Sequence, residues 1–147
     1  MSRTLAIVLA ALGGCFVGMQ APINARLGKE ISGAQAATVS FLVGTLALIV
    51  FATVLSGGLG GIQHAGRAPW WALVGGLLGA FYVTVALRTV GTLGASGLTA
   101  IVVTGQLAVS VAVDRFGLFG VARQHIATSR VVGLVLLLAG VVLVVRK

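Results

Sequence analysis

Gln106, Ser110 and Asp114 stand at four-residue steps in a run that is otherwise almost wholly apolar, TAIVVTGQLAVSVAVDRFGLFG over 99–120. On a helix all three project from one face, and Thr99 extends that stripe one heptad back. An amide, a hydroxyl and a carboxylate in a row can grip a polar solute, pass a proton or hold a cationic side chain. Asp114 is one of only two acids in the chain. A second pair, Gln20 and Asn24, lies one helical turn apart on another apolar run. Pro22 between them removes a backbone donor, so it kinks that helix or ends it. Tyr82 adds a phenolic hydroxyl on a third run. Polar groups at membrane depth are costly and face a bundle interior or a cavity. Gln20, Asn24, Tyr82, Gln106 and Ser110 are therefore candidate solute ligands. Bridging of neighbouring helices, or a place at the interface, is the other reading of Gln20 and Asn24, and plain packing that of Tyr82.

Asp114 needs a partner. It sits near the end of its run, where the helix dipole disfavours an anion. Arg115 is adjacent, and neighbours on a helix do not face each other. Arg88 and Arg130 are the better candidates. Two readings stay open for Asp114, an interfacial ion pair and a coupling carboxylate. Catalysis is not expected. The chain has no phosphate-binding glycine loop, no paired-histidine zinc motif and no cysteine–histidine cluster. Its two histidines, His64 and His125, fall in connections, so no serine triad assembles. Neither a metal nor a cofactor is implied, and the single cysteine, Cys15, excludes an internal disulfide. Cys15 is expected to be a small buried side chain.

These residues need helices in lipid to position them. Hydrophobic residues make up 59% of the 147, charged residues 8%, and the mean hydropathy is +1.15. A soluble domain of this size requires a far more charged surface. Five apolar stretches of membrane-spanning length are predicted, at about 4–25, 34–56, 70–89, 93–114 and 128–145. The first reads as a retained span, because its apolar character continues past Cys15. Gly14 with Gly18, and Ser40 with Gly44, give small-residue spacings at which helix backbones approach closely. Pro69-Trp70-Trp71 opens the third stretch with a proline suited to a first turn and tryptophans suited to the interface. The glycine-rich connection 90–97 is short enough to make the third and fourth spans a tight antiparallel pair. The net charge of +8 does not signal nucleic acid, because the basic residues are scattered among the connections as headgroup anchors.

With five spans the termini lie on opposite sides. One side then carries Arg3, Arg67, Arg115, Arg123 and Arg130, the other Arg26, Lys29, Arg88, Arg146 and Lys147. Five against five gives the positive-inside rule no preference. The expectation is a chain that inserts in both orientations and pairs with an inverted copy of itself as a homodimer.

The order of motifs along the chain resembles the drug/metabolite transporter superfamily, and more closely its short five-helix YdcZ-like family. The matching residues are Gly18-Met19-Gln20 to Pro22-Ile23-Asn24-Ala25 with Leu27, then Ser40-Phe41 and Gly44-Thr45. Gly75-Gly76-Leu77-Leu78-Gly79-Ala80-Phe81-Tyr82-Val83 follows. Gly105-Gln106-Leu107, Asp114-Arg115-Phe116-Gly117-Leu118-Phe119-Gly120, Arg130 and Gly133 complete the set. The chain departs from the family's pattern at Arg115, a position at which the family carries a histidine. The resemblance implies a bacterial inner-membrane protein that moves a small solute. It also implies that five helices are half of an inverted-repeat architecture. The small multidrug exporters carry a glutamate in their first helix, and 13–20 here has none. The resulting reading is an all-α integral membrane bundle of five helices. It functions as a secondary transporter, an exporter, of a small molecule or ion, with the lipid bilayer as its surroundings. The alternatives are a passive small-ion channel and a non-transporting accessory subunit.

Overall fold

The computed structural model describes residues 1–55 and 57–146; Ser56 and Lys147, an end of the second predicted span and one of the counted charges, lie outside the described residues. Every regular element among the described residues is helical. The α-helices are α1 (Arg3–Glu30), α2 (Gly33–Leu55), α3 (Gly75–Phe116) and α4 (Thr128–Val145). Short 3₁₀ turns cover Gly60–Arg67, Trp70–Val74 and Leu118–Gly120. Among the described residues, four stretches are long and apolar enough to cross a membrane: α1, α2, α4 and Trp70–Phe116, which counts 47 residues. At 1.5 Å per residue that third stretch measures about 70 Å, over twice the hydrocarbon core. It is not one straight rod. Gly94 adopts φ 71°, ψ 165°, outside any helical region, and divides α3. Only glycine reaches such a backbone state without strain. The break is a single residue within the connection predicted over 90–97.

The chain forms two compact units, Met1–Gly91 and Thr92–Lys147. In the first, α1 and α2 make a helical hairpin. Ser2 caps α1 by accepting from the Leu5 amide at 3.2 Å, and Ser32 accepts from the Gln35 amide at 3.3 Å where α2 begins. Helix α1 continues past Pro22 to Glu30, and the exposed Arg26–Glu30 ion pair one turn apart supports its last turn. The hairpin turns at Ile31-Ser32. Around it the seam is made of very small residues. A Cβ on Gly28 would lie 3.7 Å from the Ala36 Cβ and 3.7 Å from a Leu87 methyl of α3. Ala36 is 0% exposed. Farther along, a Cβ on Gly79 would meet the Phe41 ring at 3.5 Å. This is close backbone approach through small residues, the main source of helix association in lipid.

Ala36→Leu is therefore expected to overpack the seam and cost about 1–3 kcal/mol. Ala47→Leu, on the exposed face of the same helix, should be neutral. Thermal unfolding of the purified variants in detergent compares the two.

Most large apolar side chains, from Leu5 to Val144, lie on the outside. In lipid that surface is already in its preferred solvent. The same logic corrects the expectation for Cys15, which is exposed on α1 rather than buried. A thiol is apolar enough for either place. Hydroxyls on these helices are satisfied locally. Thr38, Thr53, Thr84 and Thr104 each donate to the carbonyl four residues back, at 2.8–3.0 Å.

Candidate functional site

In the Met1–Gly91 unit, Gln20, Asn24 and Tyr82 come together. They border one narrow cleft with Ala21, Val83, Ala86 and Leu87, and it has no room for a water molecule. Asn24 is 6% exposed and donates from Nδ2 to the Ser40 hydroxyl at 3.1 Å. Of the two readings of this amide, the geometry matches a bridge between helices α1 and α2. The bond has a simple origin: Asn24 and Ser40 are equidistant from Ser32, where the hairpin turns, as are Gly28 and Ala36. Ser40 was legible only as a small residue. Its role as a partner follows once the turn is placed. A wider groove of about 480 Å³ runs along α2 and α3, lined by Ala34, Ala37, Thr38, Phe41, Thr45 and Thr84 among others. The Thr38 and Thr84 hydroxyls there are engaged with their own helices.

In the Thr92–Lys147 unit, the part of α3 after Gly94 and helix α4 form a second antiparallel hairpin. A Cβ on Gly97 would lie 3.7 Å from Val145, and at the other end Asp114 meets Arg130. Between the two helices runs a groove. One section, of about 810 Å³, is lined by Ala95, Ser96, Thr99, Ala100 and Val103 opposite Gly133, Leu136, Leu137, Gly140, Val141 and Val144. The next section, of about 610 Å³, is lined by Leu107, Ser110, Val111 and Asp114 opposite Arg130, Gly133 and Leu137. Gly133 and Leu137 belong to both, so the sections are continuous. The walls are apolar for most of the length and end on an ion pair.

That ion pair is the best-defined polar feature of the unit. Arg130 Nη1 donates to Asp114 Oδ2 at 2.8 Å, and Nη2 donates to Gln124 Oε1 at 2.9 Å. The Gln124 amide donates to the Asp114 carbonyl at 2.8 Å. The two charged side chains are 27% exposed for Asp114 and 42% for Arg130. Of the two arginines considered for Asp114, the structure joins Arg130 to it. Arg88 is exposed on the other unit and enters none of the ion pairs among the described residues. Thr99, Ser110 and Asp114 of the sequence stripe line the groove. Gln106 does not; its side chain is exposed.

The turn between the helices is held by Arg123, which sequence reasoning counted only as a charge. Helix α3 ends on Gly117 at φ 65°. The Arg123 stem crosses over that glycine, and Arg123 Nε donates to the Phe116 carbonyl at 3.1 Å, supplying a donor to the last carbonyl of α3. A Cβ on Gly117 would stand 2.7 Å from the Arg123 Cγ. Gly117→Ala is therefore expected to cost about 1–2 kcal/mol from the left-handed backbone alone, and to displace Arg123. A lowered melting temperature and faster proteolysis within 117–127 are the readouts.

Comparison with known proteins agrees with this architecture. The model of the family described as "Putative inner membrane exporter, YdcZ" matches residues 5–143. The chain belongs to this family. Similarity to the inner membrane protein YdcZ of Escherichia coli (strain K12) is 29% identity over 147 residues, covering 99% of this chain and 97% of that protein. No solved structure matches. The family, together with the apolar helices, makes the chain a multi-pass protein of the inner membrane.

Proposed function

We propose that the chain is a secondary transporter that exports a small solute, working as an antiparallel homodimer inserted in both orientations. The single observation carrying this reading is the groove of the Thr92–Lys147 unit, which is apolar along most of its length and lined at one end by Asp114 and Arg130. A solute with an apolar body can lie against Val103, Leu136 and Leu137 while a polar end reaches Ser110 and the ion pair. Separation of Asp114 from Arg130 would open that end; their reunion would close it. Such a two-state contact is what alternating access requires. Gln106, exposed at membrane depth, is assigned to the surface that a second copy covers, because an amide facing lipid is unfavourable.

Five crossings are part of the reading. The stretch Trp70–Phe116 supplies two, with Gly94 at the break. The termini then face opposite sides and the basic residues divide five against five. Fusions of a cytoplasm-active and a periplasm-active reporter to the C-terminus test this. Signal from both is expected. Signal from one alone overturns the dual-topology dimer and points to a parallel oligomer or a heteromer. In liposomes, saturable and gradient-driven flux is expected. Flux that rises linearly with concentration and needs no coupling gradient would identify a channel instead.

A further inference from the structure

The turn that follows α3 builds a second polar feature, separate from the groove. Arg115, Phe116, Arg123, Gln124 and His125 line a pocket of about 460 Å³. No acid lines it. The nearest carboxylate in sequence, Asp114, is held by Arg130. The pocket's side chains present mainly donors, since a guanidinium has no acceptor and the Gln124 oxygen is already occupied. Arg123 spends Nε on the Phe116 carbonyl, which leaves its terminal nitrogens for a ligand. The Gln124 side-chain oxygen accepts from Arg130, which leaves its NH₂. Arg115 and His125 complete the lining. The arrangement is built rather than incidental, because the Arg123 stem is seated over Gly117, where any side chain would collide with it. Beside the pocket, Phe116, Leu118 and Phe119 are exposed at the end of an apolar span. That depth is the headgroup level, with acyl chains on one side and water on the other.

We propose that this pocket binds the phosphate of an anionic membrane lipid. Two guanidinium groups in one pocket suit the planar, multi-oxygen acceptor set of a phosphodiester. The exposed aromatic rim suits the lipid's glycerol and first methylenes. The excess of donors without an acid selects against zwitterionic headgroups, whose ammonium would find no partner.

The test is native mass spectrometry of the full-length protein, with phosphatidylglycerol and phosphatidylethanolamine offered in equal amounts. Preferential retention of phosphatidylglycerol is expected. Arg115→Gln should weaken that retention about fivefold, the usual worth of one basic residue at an anionic surface. His125→Ala should also weaken it, and serves if Arg115→Gln does not fold. Arg67→Gln, in the exposed turn Gly60–Arg67, should leave it unchanged. Glycerol 1-phosphate at millimolar concentration should not displace the lipid. Displacement would hand the pocket to a soluble phosphate and overturn the lipid assignment. Equal retention of both lipids, or retention unchanged in the pocket variants, would overturn the proposal altogether.

Discussion

Exchanging the two charges, Asp114→Arg with Arg130→Asp, is expected to preserve the fold and abolish transport. The reason lies in where the two residues stand. Asp114 is in the last turn of α3 and Arg130 in the first turn of α4. A helix C-terminus disfavours an anion and a helix N-terminus disfavours a cation, each by about 0.3–1 kcal/mol. The native pair is thus oriented against both dipoles. The exchanged pair keeps the contact and is oriented with them, so its stability should equal or exceed the native one. Single variants should behave differently. Arg130→Ala leaves Asp114 unpaired at the membrane boundary and removes the bond to Gln124. A loss of about 1–3 kcal/mol is expected, between the values for exposed and for buried pairs. If the contact served only to join two helices, the exchanged protein would transport normally. A fall in flux of tenfold or more, with melting temperature retained, assigns the orientation of the charges to transport. Flux in liposomes and thermal unfolding of the same preparations decide it.

The second large effect is expected from filling the groove. Gly133 lines both of its sections, and a Cβ there would meet nothing within 4 Å. A Cβ therefore fits at Gly133, and the ring of Gly133→Phe is expected to extend into the groove that this residue lines. Folding should be unaffected or slightly improved, since the glycine lowers helix propensity by about 1 kcal/mol. Transport should fall by two orders of magnitude. Gly13→Phe, on α1 where a Cβ also meets nothing within 4 Å and no described cavity lies, should leave transport near the native level. Cross-linking of both variants checks that the oligomeric state is unchanged. Normal flux through Gly133→Phe would exclude the groove as the solute path.

Much of the architecture was open to reading without coordinates because lipid imposes so few solutions. A chain with 59% hydrophobic and 8% charged residues must satisfy its backbone inside helices, and the membrane class, the apolar stretches and the family resemblance all follow from residue order. Helical spacing alone put Thr99, Gln106, Ser110 and Asp114 on one stripe, of which Thr99, Ser110 and Asp114 line the groove and Gln106 does not. Which partner each polar residue takes was not legible, because spacing along one helix says nothing about the neighbour across a turn. Tertiary structure joined Asp114 to Arg130, gave Asn24 to Ser40, left the Gln106 side chain exposed and seated Arg123 over Gly117. Each outcome depends on where a hairpin reverses. A shift of one residue in a turn rotates every side chain beyond it by about 100° around the helix axis. Only the packed chain fixes that register.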